Sequence, residues 1–175
     1  MDYPWYIKLE NSTDLQQGDL IENCPVIIPP AKLDQEEDVD FEVELVNAVI
    51  MTQSCDLASK HTELVLVCPY YTLGEFLNSL PADQISTPKA KTKILDNLRK
   101  GHFAAYHLLN KQDSEVPELL VVDFKNVYGV HRKTLDEITA QTDTRVRLLP
   151  PYREHLSQAF ARYFMRVGLP MDIYT

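Results

Sequence analysis

The stretch FEVELVNAVIM, residues 41–51, decides the fold. Its first five residues alternate between apolar and acidic side chains, which is the period of a half-exposed strand. The last six residues are almost all apolar and therefore predict a central strand that is buried on both faces. A second apolar run, LVLVC at residues 64–68, ends at Pro69 and predicts a neighbouring central strand.

Weaker patterns on either side of these two strands predict the rest of the sheet and its helices. Alternating or apolar runs favour strands, whereas apolar spacings of three and four with capping residues favour helices. The predicted strands are residues 20–28 (broken at Pro25), 103–109, 119–124 and 145–149, and the predicted short helices are residues 73–80, 89–100 and 134–139.

The clearest helix covers residues 152–167 and follows Pro150-Pro151. Its apolar side chains recur at spacings of three and four, and Gly168 occupies the C-cap position. We predict a mixed β/α (α+β) fold: a small β-barrel over residues 18–149 with inserted short helices, closed by an amphipathic C-terminal helix at 150–168. The length of 175 residues fits one domain, residues 1–175.

Several classes of protein and site are disfavoured by composition. No apolar run is long enough to span a bilayer, and the N-terminus lacks the basic and apolar parts of a signal peptide, so we expect a cytoplasmic protein without a membrane partner. The three cysteines share no CxxC spacing, which argues against a disulfide framework or a structural zinc site. No GxGxxG motif occurs. We therefore expect no metal and no cofactor.

The charge is unevenly distributed along the chain. The formal net charge is −9, but residues 1–85 carry 3 Lys/Arg against 16 Asp/Glu, while residues 86–175 carry 14 against 10. An acidic protein is a poor general binder of nucleic acid, so RNA is a disfavoured partner. The polarity favours docking to another protein or head-to-tail self-association into a homo-oligomer. Two solvated faces of opposite sign are the simpler alternative.

A polar turn, Gln53-Ser54-Cys55-Asp56, directly follows the central strand. Polar residues held by the end of a buried strand are a common place for binding or catalysis, so Gln53 is a candidate binding residue. Cys55 would be a nucleophile if a histidine such as His107 lowered the pKa of its thiol, with Asp56 orienting that histidine. Alternatively, Cys55 is a small buried residue and Asp56 caps the turn.

Two further groups of residues are candidates for chemistry or binding. His102 and His107 are separated by an odd number of positions and therefore point to opposite faces of one strand, which disfavours a shared metal site. A basic patch within residues 89–100 would follow an RNA backbone, although a solvated helix face explains it equally well. The patch residues proposed for binding are Lys89, Lys93, Arg99 and Lys100.

The final helix carries Arg162 and Arg166, which are four residues apart and share one face. Arginine favours bidentate partners, so these side chains are expected to bind carboxylates of the acidic half of the chain. An acidic surface on a partner protein is the functional alternative.

The Gly18-Asp19 turn, the strand at 46–52 and the strand at 64–69 together resemble the PemK/MazF family of small SH3-like barrels. Residues 127–135, with a V-x-x-x-x-L pattern, are similar to the strand that precedes a helix in that family. The resemblance implies an SH3-like barrel, but Asn47-Ala48 stand where the family ribonucleases have an arginine. Without that arginine, nothing in this strand stabilises charge on a phosphate during RNA cleavage.

These observations favour a non-catalytic protein-interaction or regulatory module on a MazF-like barrel. The turn at 53–56 and the closing helix lie outside the toxin pattern and resemble small bacterial proteins found near mobile or defence genes, so a defence or toxin–antitoxin-type system is the expected setting. Two enzymatic alternatives stay open. One is a ribonuclease that uses the basic patch with His102 or His107, and the other is a thiol hydrolase that uses Cys55.

Overall fold

A computed structural model describes residues 3–10, 13–31, 41–59, 61–112 and 115–165. This part of the chain has a mixed α+β fold, and its elements run as follows. They are β1 (Tyr6–Glu10), β2 (Asp19–Ile28), β3 (Glu42–Ile50), α1 (Ser54–Ala58), β4 (Leu64–Thr72), α2 (Leu73–Ser79), a single 3₁₀ turn (Ala82–Gln84), α3 (Pro88–Arg99), β5 (Tyr106–Leu109), β6 (Leu120–Asp123), β7 (Tyr128–His131), α4 (Arg132–Gln141), β8 (Thr144–Leu148) and α5 (Tyr152–Phe164). No helix in the described ranges is long and apolar enough to cross a membrane.

All strand pairs are antiparallel, and the sheet follows the order β1-β8-β2-β3-β4-β6-β5, with β7 also paired to β4. Within the described residues this path is open, with β1 and β5 at its two ends. The side chain of Gln112, just beyond β5, bridges these ends. Its Oε1 accepts from the backbone N–H groups of Trp5 (2.7 Å) and Tyr6 (3.1 Å), and its Nε2 donates to the carbonyl of Tyr6 (3.1 Å).

The two central strands are those that the sequence predicts. Ala48, Val49 and Ile50 of β3 are fully buried, because residues 48–50 pair with β4 and residues 48 and 49 also pair with β2. β4, however, does not end at Pro69 but continues to Thr72. Pro69 makes the last pair with β3, after which β4 pairs with β6, and a strand tolerates a missing N–H where its pairing ends.

The irregularity in β2 lies before Pro25 rather than at it. The register with β3 shifts between Ile21 and Cys24, and Asn23 adopts a positive φ of 51°. Such a bulge bends a strand. Beyond it, β3 is the one strand among the described residues that pairs with β2, and an edge strand accepts a proline such as Pro25, which lies opposite Leu45.

The helices cover the sheet through three apolar clusters. α5 packs on the sheet with Leu156 and Phe160, α4 with Leu135, and α2 and α3 contribute Phe76 and Leu98 to a third cluster. The predicted helices at 73–80, 89–100 and 134–139 are therefore observed, with small changes at their ends, and α5 is described as far as Phe164.

The Gly18-Asp19 turn is fixed by a buried ion cluster. Asp19 is completely buried and accepts from Arg145 Nε at 2.9 Å and Arg147 Nη2 at 3.0 Å, and also from Arg147 Nε. Arg145 also donates to the backbone carbonyls of Thr13 and Asp14, and Arg147 donates to the carbonyl of Asp14. Gly18 has a φ of +86°, and an added Cβ would lie 3.2 Å from Leu148, so this turn requires glycine.

Candidate anion-binding cleft

An open cleft of about 870 Å³ lies between the C-terminal end of α3, strand β5 and helix α5. This volume falls in the range of ordinary ligand sites. Residues from parts of the chain that are far apart in sequence form its walls. The lining residues are Trp5, Leu98, Arg99, Lys100, Gly101, Ala104, Tyr106, His107, Leu108, Asn110, Leu119, His155, Gln158, Ala159 and Arg162.

The charged groups on these walls are all basic. Arg99, Lys100 and Arg162 contribute three cations, and the described lining includes no aspartate or glutamate. Arg99 has an exposed ion pair with Asp96, at 4.0 Å, within its own helix. In the described part of the chain no carboxylate lies within ion-pair distance of Arg162, whose Nε donates to the carbonyl of Gln158 at 3.3 Å. The described carboxylates of the protein therefore neutralise little of the positive charge in the cleft.

The end of α3 places its two cations at the rim of the cleft. Gly101 adopts a φ of +66° and stops the helix, so that the N–H groups of Gly101 and His102 donate to the carbonyls of Leu98 (3.0 Å) and Asn97 (2.9 Å). Leu98 is buried in the third apolar cluster, to which α2 and α3 both contribute, and this packing fixes the last turn of α3. Arg99 directly follows it and is exposed.

His107 is half-buried in the cleft wall. It lies on β5 opposite Val122, and its ring faces that of Phe124 with the centroids 6.3 Å apart. Burial, with the charges of His155 and Arg162, lowers the pKa of His107 to about 4. Its imidazole is therefore neutral at pH 7 and can both accept and donate one hydrogen bond.

His155 was missed by sequence reasoning although a signal for it exists. A second stripe of residues at helical spacing lies beside the apolar stripe of α5. It contains residue 155, residue 158 or 159, and residue 162. His155 and Arg162 share this stripe and both line the cleft. Trp5 closes one side of the cleft, and its ring stacks on Tyr152 at a centroid distance of 3.6 Å.

The basic patch predicted along α3 is divided by the fold. Arg99 and Lys100 line the cleft, whereas Lys89 and Lys93 are exposed on the first half of the helix and do not line it. Lys89 and Arg99 are ten positions apart, which is about 15 Å along a helix axis. The structure thus joins one half of the patch to Arg162. Arg166 lies outside the described residues.

The turn after β3 forms a separate surface. Residues 54–58 are the short helix α1, and Cys55 is exposed rather than buried. Its Sγ lies 3.6 Å from Gln53 Oε1 and 3.7 Å from Asp56 Oδ1, and no hydrogen bond or ring contact in the described residues joins Cys55 to a histidine. The Asp56 side chain does not cap α1. The structure therefore does not bring Cys55 and His107 together in one site.

The chemistry that the cleft offers is recognition of negative charge. Guanidinium groups bind carboxylates or phosphates through paired N–H donors, and Lys100 adds a mobile point charge. The described residues contain no group of three or more His, Cys, Asp and Glu side chains that is arranged to hold a metal ion. His102 is exposed and lies outside the lining of the cleft.

Comparison with known proteins assigns neither a family to the chain nor a function to the cleft. No protein-family model matches the chain, and no curated protein is significantly similar to it.

Proposed function

We propose that this protein is a non-catalytic interaction module whose basic cleft receives an acidic segment of a partner protein. One observation carries the proposal: Arg99, Lys100 and Arg162 converge on a cleft whose described walls contain no carboxylate. A concave basic site concentrates the electrostatic field and increases the rate at which an oppositely charged partner associates. The acidic segment would supply the carboxylates that the fold does not.

The walls between these cations suit a peptide better than a free ion. Trp5, Tyr106 and Leu108 provide apolar and aromatic surface beside the charged groups. Aromatic side chains and arginine are the residue types that contribute most to protein interfaces. An acidic segment with one or two apolar side chains would use both parts of the cleft.

RNA is the less favoured occupant. An RNA strand needs a continuous track of cations, but Lys89 and Lys93 lie outside the cleft. The net charge of −9 also repels a polyanion at long range. A short peptide is affected less, because it carries fewer charges.

We further propose that the module acts in the bacterial cytoplasm, in a defence or toxin–antitoxin-type system, on a divergent SH3-like barrel of the PemK/MazF kind. The buried Gly18-Asp19 turn supports the barrel proposal, and so does the Gln112 bridge between the end strands. The three unpaired cysteines are consistent with a reducing compartment.

The experiment measures binding of a glutamate-rich peptide that contains one tryptophan, by titration calorimetry at low salt. We expect the double variant Arg99→Ala/Arg162→Ala to bind about tenfold more weakly, because each lost charge contact contributes up to about 1 kcal/mol. The matched control is Lys89→Ala/Lys93→Ala, which removes the same charge outside the cleft and should leave the affinity unchanged. Equal loss in both variants would mean that only net charge matters, and the proposal would then fail.

A ribonuclease is the second candidate, and one observation favours it: the half-buried imidazole of His107 lines the same cleft as His155 and Arg162. His107 would accept the proton of a ribose 2′-hydroxyl as that oxygen attacks phosphorus. The 5′-oxygen would leave with a proton from His155, and Arg162 would stabilise the charged phosphorane. If this holds, His107→Ala lowers the rate of RNA cleavage by about a hundredfold or more. Absence of cleavage by the wild-type protein rejects the candidate.

A further inference from the structure

A second surface, unrelated to the basic cleft, lies on the arm formed by β2 and β3. Residues 48–50 of β3 pair with β4, but residues 42–47 extend beyond this contact. Along 42–46, β2 pairs with one edge of β3, and among the described residues no strand pairs with the other edge of 42–47. Within the described part of the chain, the backbone donors and acceptors on that edge have no strand partner, which is the arrangement that a further strand can use.

The outer face of this arm is apolar and exposed. Ile27 lies opposite Val43 and Pro25 opposite Leu45, so these four side chains share one face. Ile27, Val43 and Leu45 are 60%, 59% and 67% exposed, whereas Cys24 and Val26, on the opposite face, are buried. A contiguous patch of this kind is typical of an interaction surface.

The residues between these apolar positions are acidic. Glu42 and Glu44 alternate with Val43 and Leu45 along β3, and all four are exposed. Residues 33–47 contain seven acidic residues and no lysine or arginine. Charged side chains on a free edge oppose pairing with an identical edge, so a second copy of this strand is an unfavourable occupant.

We propose that residues 42–47 form a docking edge for an extended segment of a partner protein, in which basic and apolar residues alternate. A strand added beside β3 would place every second side chain next to Val43 and Leu45, where apolar residues fit. The intervening side chains would lie beside Glu42 and Glu44, where lysine or arginine fits. Main-chain hydrogen bonds would provide affinity, and the alternation would provide specificity.

The test uses a fluorescein-labelled peptide of alternating lysine and valine, measured by fluorescence anisotropy. We expect it to bind at least tenfold more tightly than a peptide of identical composition in which the lysines and valines form two blocks. Two further peptides carry N-methyl groups at odd or at even positions. Strand addition uses the N–H groups on one edge only, so one of these two peptides should lose binding and the other should keep it.

Charge reversal tests the position of the site. Glu42→Lys/Glu44→Lys should weaken binding of the alternating peptide by at least tenfold, since two attractions become repulsions. The control, Asp83→Lys/Glu118→Lys, makes the same change in net charge at two exposed positions elsewhere and should have no effect. Circular dichroism checks that each variant is folded.

Three results would overturn the proposal. They are equal binding of the block peptide, equal weakening by the control variant, and a dimer in sedimentation that Leu45→Lys dissociates. The last result would assign this edge to a second copy of the chain. None of them bears on the cleft, because the glutamate-rich peptide and the Arg99→Ala/Arg162→Ala variant test that site separately.

Discussion

Asp19→Asn removes the negative charge that lies between the guanidinium groups of Arg145 and Arg147 while keeping the size of the side chain. Asp19 is fully buried and the two arginines nearly so. Both arginine side chains donate to the carbonyl of Asp14, which limits their escape to solvent. The substitution therefore leaves two buried positive charges beside each other.

Breaking a buried ion pair by removing one partner costs about 3–5 kcal/mol, and the total stability of a domain is about 5–15 kcal/mol. We expect Asp19→Asn to lower the free energy of unfolding by an amount in that first range, measured by urea denaturation and followed by far-ultraviolet circular dichroism. Asp56→Asn, at an exposed carboxylate on α1, is the control and should change stability by no more than about 0.5 kcal/mol.

A triple variant separates the cost of unpaired charge from the value of the cluster. Asp19→Leu/Arg145→Met/Arg147→Met replaces all charges by apolar groups, and it should recover most of the stability that Asp19→Asn loses. A loss below about 1 kcal/mol in Asp19→Asn would refute this reasoning, because it would mean that water reaches the arginines. So would a triple variant that is less stable than Asp19→Asn.

The pKa of the His107 imidazole is about 4 in the folded state and 6.5 in the unfolded state, so the folded state binds fewer protons between these pH values. Acidification from pH 7 to 4 should therefore lower the free energy of unfolding of the wild type by about 3 kcal/mol more than that of His107→Leu. Urea denaturation at each pH measures the difference. An equal loss in both would contradict this cause. Gln112→Ala should destabilise the protein by about 2 kcal/mol and should speed hydrogen exchange at the amides of Trp5 and Tyr6, because their bonds to this side chain are lost. Unchanged exchange would argue against the bridge. Thr72→Ala removes the capping box with Glu75 at the start of α2 and should cost about 1 kcal/mol in thermal or urea unfolding, whereas Thr92→Ala, on the exposed face of α3, should cost less.

The mixed α+β fold was predictable because its central strands and longer helices have strong local patterns. Residues 48–50 and 64–68 are apolar runs, and α3 combines a proline in its first turn with a glycine after its end. β1 was missed because only Tyr6 of its five residues is buried, so it lacks an alternating pattern, and its place depends on pairing with β8. The predicted strand at 103–109 begins only at Tyr106, whose N–H closes a turn onto Phe103.

The members of the cleft were easier to predict than the cleft itself. Arg99, Lys100, His107 and Arg162 are each recognisable as candidates, but no local rule brings residues of α3, β5 and α5 together. Their convergence depends on how the helices pack on the sheet. The separation of Lys89 from Arg99, by contrast, has a local cause, because the two residues lie near opposite ends of the one helix α3.

The position of the single tryptophan gives the protein an internal optical probe. Trp5 lines the basic cleft and stacks on Tyr152 at 3.6 Å, and the chain contains no second indole. With excitation at 295 nm, every change in the emission of the protein itself therefore originates at Trp5, where the N-terminal segment, α5 and the cleft meet. The binding of an occupant that lacks tryptophan can therefore be followed by stopped-flow fluorescence without a label. Unchanged tryptophan emission while a peptide binds the β2–β3 arm would show that the arm is a surface independent of the cleft.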